Sequence, residues 1–193
     1  MQILLDAPQI ELILADLADK ILADPLFHHA PSPSSPAVTT LPLALVGIRS
    51  RGEILAQRLA KLLASRNPSA PPIDVGALDI TMYRDDLSSA TSGRRRALTI
   101  PQGTDMNFRL DDRPVLLVDD VLATGRSVRA ALDALVDFGR PKLIRLAVLI
   151  DRGRREFPIH AEYVGHPVPA AQQHQNVIVH LKPTDPEDGV YLS

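Results

Sequence analysis

The chain has 193 residues, 45% hydrophobic, 23% charged and 4% aromatic, with no cysteine. This balance suits one ordinary domain over 1–193 with an aliphatic core, and it excludes disorder, collagen, a disulfide framework, a zinc ribbon, an Fe–S cluster and a thiol nucleophile. With 21 basic against 23 acidic residues the net charge is −2, so the whole surface is not a nucleic-acid glove.

From the N-terminus, residues 10–22 place Ile10, Ile13, Leu14, Leu17, Ala18, Ile21 and Leu22 on one helical stripe. Asp6 and Pro8 are start signals, and Pro25 lies just past the end. Residues 28–42 (HHAPSPSSPAVTTLP) are Pro/Ser-rich and aperiodic, which predicts a flexible surface loop. The apolar run 43–48 predicts a buried strand, and 53–64 a helix with Ile54, Leu55, Leu59, Leu62 and Leu63 on one side. A strand is predicted over 75–83, then a long polar loop over 84–113 of the kind that serves as a lid. Strands follow at 115–118, 143–150 and 177–181, with a helical stripe at 128–136 closed by Gly139 and Pro141. No run of about 18 apolar residues is present and no signal peptide is recognised, so the cytoplasm is the expected address and no membrane the expected partner.

Short apolar strands alternating with amphipathic helices predict an α/β fold with a mostly parallel sheet covered on both faces. Ligands then bind beyond the carboxyl ends of the strands. Three such ends carry polar groups. At 118–127 a strand delivers Asp119 and Asp120, followed by Ala123, Thr124, Gly125, Arg126 and Ser127 leading into a helix. The helix start offers N–H donors and a positive dipole end to an anion, and the acids accept hydrogen bonds from vicinal hydroxyls. A sugar phosphate meets both demands. At 47–52, Arg49, Ser50 and Arg51 between Gly47 and Gly52 offer forks to a phosphate or diphosphate, and serve equally as a solvated turn. At 83–86, Tyr83, Arg84, Asp85 and Asp86 open the long loop, and an ordinary charged strand end explains them as well. The six histidines (His28, His29, His160, His166, His174 and His180) show no metal-ligand spacing.

The segment VLLVDDVLATGRS at 115–127 resembles the phosphoribosyl-diphosphate (PRPP) signature of the type I phosphoribosyltransferases. LVGIRSRGEILAQRLA, LDITMYRDDLS, VRAALDALVDFGRP and LAVLIDRGRREFPIHAEYVG are similar to the branch of that family that regulates pyrimidine operons and makes UMP from uracil. The likeness runs over roughly 43–165. It implies a central mostly parallel sheet flanked by helices, with a small hood. It also implies conversion of uracil and PRPP to UMP and diphosphate with Mg²⁺. By matching motif, Asp119 and Asp120 would meet the ribose hydroxyls and Ala123–Ser127 the 5′-phosphate. Arg49, Ser50 and Arg51 would form a diphosphate loop, where the family tends to carry a cis peptide. Arg84 would reach the diphosphate, and 151–155 would lie near the uracil. Mg²⁺ ligands are not assigned.

The resemblance further implies a homodimer or larger homo-oligomer, and binding of pyrimidine-gene mRNA. RNA-binding members tend to carry basic residues on the first helix, whereas here it holds Glu11, Asp16 and Asp19. The basic stretch 140–155, with Arg140, Lys142, Arg145, Arg152, Arg154 and Arg155, is then the expected RNA face. Two other readings stay open: an RNA-binding regulator with vestigial catalysis, and a phosphoribosyltransferase for another base such as a purine, for which Phe157 and Tyr163 are the aromatic candidates.

Overall fold

The computed structural model describes residues 1–25, 27, 42–84 and 103–193. The Pro/Ser-rich stretch up to residue 41 and most of the predicted long loop, 85–102, including Asp85 and Asp86, lie outside the described residues. The chain opens with a strand the sequence reading lacks, β1 (Gln2–Asp6), and turns directly into α1 (Ala7–Ala23). Asp6 caps that helix: its carboxylate accepts the Gln9 N–H at 2.9 Å, while Gln9 Oε1 accepts the Asp6 N–H at 2.9 Å. Ile10, Leu14, Leu17, Ala18 and Ile21 are buried, as their spacing predicts.

Five strands form a parallel sheet: β2 (Ala44–Ile48), β3 (Asp74–Leu78), β4 (Pro114–Leu122), β5 (Leu143–Asp151) and β6 (Tyr163–Pro167), in the order β3-β2-β4-β5-β6. The crossover helices α2 (Arg51–Arg66) and α3 (Arg126–Leu135) pack on opposite faces. Alternation along β4 sets this up: Leu116 and Val118 join the α1/α2 core, whereas Val115 and Leu117 join the α3 core. Fully burying each such side chain is worth about 1.5–3 kcal/mol.

Three expectations need correction. The predicted strand at 177–181 is β7 (Val177–His180), but it belongs to a second, antiparallel sheet of order β1-β8-β7 with β8 (Gly189–Leu192). Its Val–Ile–Val run is equally compatible with either sheet, and only pairing separates them. The strand predicted to reach Tyr83 stops at Leu78, and Thr81–Tyr83 is a single 3₁₀ turn. The far part of the predicted loop, 103–113, is built into the fold. Asp105 and Ala77 exchange backbone hydrogen bonds at 2.8 Å, Leu110 is buried in the α3 core, and the buried Arg113 pairs with Asp74 at 2.7 Å.

Candidate active site

The sheet's carboxyl end collects the described parts of the three polar stretches that the sequence singles out, 118–127, 47–52 and Tyr83 with Arg84. Asp119 and Asp120 lie within β4 itself, which runs past the predicted strand end to Leu122. Asp119 is buried and accepts the Asp120 N–H at 2.9 Å, while Asp120 accepts the Val121 N–H at 2.8 Å. The two carboxyl groups lie close enough for each to shift the other's affinity for a proton. Burial and the neighbouring Asp120 push the Asp119 carboxyl well above its ordinary range, and the Arg84 charge only partly opposes this. Burial raises Asp120 as well, against the pull of Arg51. Two neighbouring acids, one buried and one half-buried, call for hydroxyl donors, a proton or a cation.

The turn after β4 meets α3 at Gly125, whose φ of +91° is left-handed. A Cβ there would also come within 3.2 Å of Ile159 Cδ1 and 3.3 Å of Phe157 Cβ. Thr124 Oγ1 accepts the Arg126 N–H at 3.3 Å, and no side chain caps the helix from Gly125 itself. The start of α3 therefore presents donors and a dipole end beside the acids. The Arg126 guanidinium is not turned into this turn alone: it pairs with Glu156 at 2.7 Å and lies over Phe157.

The β2–α2 turn packs straight onto this strand end. A Cβ on Gly52 would sit 2.5 Å from Val118 O and 3.2 Å from Asp119 Cα, and one on Gly47 would sit 2.4 Å from Gly52 O. These glycines are thus required by close backbone approach. The Arg49–Ser50 peptide is cis. Arg49 reaches Glu53 at 3.5 Å, and its buried Nε has no hydrogen-bond partner among the described residues. Arg51 forks onto Asp185 through Nε at 3.1 Å and Nη2 at 3.0 Å. Arg84 follows the 3₁₀ turn close enough to Asp119 for its charge to lower that carboxyl. Tyr83, next to it, donates its hydroxyl to Asp137 at the end of α3.

Residues 151–159 wrap over the β4–α3 turn, because Thr124 O accepts the N–H groups of both Glu156 and Phe157, at 2.9 and 3.1 Å. Arg155 is the staple. It donates to both Asp151 oxygens at 2.8 and 2.7 Å, to Ala123 O at 2.9 Å and to Ile159 O at 3.0 Å. Asp185, Arg155 in this stapling role and Glu156 are what the sequence reading missed. Arg51 and Asp185 stand 134 residues apart, and no local pattern links them.

Two sequence-based ideas fail here. Tyr163 is no base-stacking candidate: it is buried in the α1/α2 core, with its hydroxyl donated to Asp24 and its ring beside Phe27. The basic stretch 140–155 is not one face. β5 separates Arg140 and Lys142 from Arg152–Arg155 by about 26 Å at the rise of a parallel strand. Between them Arg145 pairs with Glu162 at 2.8 Å, and Arg152 and Arg155 bond to backbone carbonyls. Among the described residues there is no group of three or more His, Cys, Asp or Glu side chains able to hold a metal ion, and no helix long and apolar enough to cross a membrane.

Comparison with known proteins follows the geometry. A family model described as phosphoribosyl transferase domain matches residues 1–182. The Bifunctional protein PyrR of Ligilactobacillus salivarius (strain UCC118) is 49% identical over 150 residues, spanning 78% of this chain and 81% of the relative. That of Bacillus subtilis (strain 168) is 49% identical over 148 residues, spanning 77% and 78%. In structure, the chain is similar to the hypoxanthine phosphoribosyltransferase of Trypanosoma cruzi, with a TM-score of 0.67 over all of this chain and 95% of the other. At 17% identity that likeness is one of fold.

Proposed function

The chain belongs to the phosphoribosyltransferase family, among relatives named Bifunctional protein PyrR, and on that premise we propose that it joins uracil to the phosphoribosyl group of PRPP. The C1′–N1 bond to uracil forms, the C1′–O bond to diphosphate breaks, and the N1 proton is lost. The observation that carries this reading is the adjacent Asp119–Asp120 pair, the first buried and the second half-buried, at the end of β4 before the start of α3. The acids accept the ribose hydroxyls, and their raised affinity for protons makes them good acceptors. The backbone and hydroxyls of Ala123–Ser127 hold the 5′-phosphate at the positive end of α3.

Arg49, Ser50 and Arg51 meet the departing diphosphate. The unpartnered Arg49 Nε–H supports this, since a buried donor without an acceptor is costly until an anion supplies one. Arg84 adds a cation near Asp119. No nucleophile of the protein is needed: positioning and stabilisation of the leaving charge suffice. The residues present fit Mg²⁺. The two contacting carboxylates are hard oxygen donors without full compensation, and an ion held by one or two carboxylates completes its shell on substrate oxygens. Asp119 and Asp120 would hold it, and when bound it would neutralise diphosphate charge.

Arg155 supports binding of the base by fixing 151–159 over the turn. The same reading puts the enzyme in the cytoplasm as a single-domain chain in a homodimer or larger homo-oligomer, and gives it a second activity, uridine-nucleotide-dependent binding of pyrimidine-gene mRNA. Diphosphate release from PRPP, measured in parallel with uracil, hypoxanthine, guanine and orotate, tests the catalytic proposal. Release with uracil is expected, and release only with a purine overturns the choice of base.

A further inference from the structure

Helix α2 is tied to the β7–β8 connection by two arginine–aspartate pairs on one of its faces. Arg51, at its first position, forks onto Asp185 with Nε and Nη2. Arg58, seven residues on, forks onto Asp188, and its Nη2 also donates to Lys182 O at 2.9 Å. Both acids are themselves anchored. Asp185 accepts the Leu181 N–H at 2.8 Å, and Asp188 accepts the Lys182 N–H at 2.8 Å. Their side chains are only 14% and 12% exposed, so each is a fixed post rather than a surface charge.

The pairs differ in what lies beside them. Gly52 packs on Val118 and Asp119, and its neighbour Arg51 is close enough to Asp120 for its charge to lower that carboxyl. Arg58 sits two turns further along the helix, away from that strand end. An arginine carries five N–H donors, and the fork onto Asp185 uses two. Three remain, in a guanidinium whose plane Asp185 has set.

We propose that Asp185 is a positioning residue for phosphoribosyl transfer, orienting the Arg51 guanidinium for the diphosphate group of PRPP. This rests on the reading that Arg51 meets that group. It gives the small antiparallel sheet a part in the site: its β7–β8 connection supplies the acid that holds a ligand-binding cation in place. Asp188, with the same chemistry on the same connection, fastens the connection to α2 and has no such part.

Steady-state kinetics on the full chain separate these roles. Asp185→Asn keeps the shape and an acceptor for Leu181, and removes the charge that fixes Arg51. It should raise KM for PRPP about tenfold while leaving KM for uracil within about twofold. Asp188→Asn should lower the melting temperature at least as much and leave KM for PRPP within about twofold. In an Arg51→Ala background, which itself should raise KM for PRPP, Asp185→Asn should add nothing. The proposal is overturned if Asp185→Asn leaves KM for PRPP unchanged, if Asp188→Asn raises it equally, or if the Asp185→Asn effect persists in full without Arg51. If Arg51→Ala does not change KM for PRPP, the assignment of Arg51 to the diphosphate falls first and takes this one with it. Should Asp185→Asn not fold, Asp185→Glu carries the test by moving the charge one methylene: a KM raised about threefold is expected, and an unchanged one overturns the proposal.

Discussion

The turn after β4 and the turn after β2 lie against one another, and they treat charge in opposite ways. Asp119 is buried and Asp120 half-buried beside it, and Arg84 and Arg51 act on them through charge. Arg51, across the contact, is given a dedicated acid in Asp185, and Arg49 has Glu53. The difference teaches how such a site divides its work. On the proposed reading, the ligand brings hydroxyls and a metal ion to the acids, and the protein leaves those acceptors uncompensated. On the same reading the ligand brings an anion to the arginines, and the protein orients them in advance, because a long arginine loses rotamer freedom on binding unless something already holds it.

The largest break in that comparison is removal of the uncompensated charge. Asp119→Asn and Asp120→Asn should each cut turnover about 10²–10³-fold, in the range of losing one preorganised electrostatic contact. Wild-type diphosphate release in both variants would remove the acids from the chemistry. The ligand-free protein should not be destabilised by Asp119→Asn at neutral pH. Burial raises the Asp119 carboxyl, so the folded state binds its proton more tightly than the unfolded chain. The stability this group contributes is full below the ordinary aspartate value of about 3.9 and is lost as pH rises through the raised value. Melting curves from pH 4 to pH 8 should therefore fall less steeply for Asp119→Asn than for the wild type, and parallel curves would contradict the assignment.

Next comes the contact between the turns. Gly52→Ala forces a Cβ to 2.5 Å from Val118 O, and overpacking of this kind costs about 1–3 kcal/mol. Denaturant melts read the loss, and an unchanged midpoint would mean that the two turns can separate freely. Gly125→Ala should cost about 1–2 kcal/mol, because the left-handed φ of +91° is strained for any residue with a Cβ. Calorimetry should show weaker PRPP binding as the start of α3 shifts away from Ile159 and Phe157.

The smallest expected effect sharpens the contrast between committed and uncommitted arginines. Arg140 and Lys142 are exposed before β5, whereas Arg145 is paired with Glu162. If mRNA is held at that end of the sheet, Arg140→Ala and Lys142→Ala should each flatten the salt dependence of binding by about 0.7–0.9 in log–log slope, while Arg145→Ala changes it less. Gel-shift titrations with the leader RNA of the chain's own pyrimidine genes, with and without UMP, measure this. Equal slopes for all three variants would place the RNA elsewhere.

Apolar spacing and apolar runs alone gave α1, α2, α3 and the strands read at 43–48, 115–118 and 143–150, because a buried face imposes its spacing on local sequence. The order of apolar strand, acid pair, Thr-Gly turn and helix at 118–127 also exposed the core of the site, since every part of that unit is contiguous in the chain. What escaped were elements fixed by partners. β1, β6 and β8 are short and irregular in pattern, and they are strands because a neighbour completes their hydrogen bonds. Residues 103–113 look like loop until Asp74 and Ala77 are placed beside them. The basic run 140–155 looked like one patch because sequence distance hides a strand that carries its two halves to opposite ends of the sheet.

By itself the sequence determined the α/β class, the helix faces and the acid pair before α3, all of which depend on residues within one or two turns of each other. The tertiary structure alone decided which charges are committed. Arg51 and Arg155 look alike in a string of residues, yet one is held by an acid 134 positions away and the other staples Asp151 to the Ala123 and Ile159 carbonyls. An arginine's role depends on which acceptors lie within about 3 Å of its guanidinium, and those acceptors come from parts of the chain that only folding brings together.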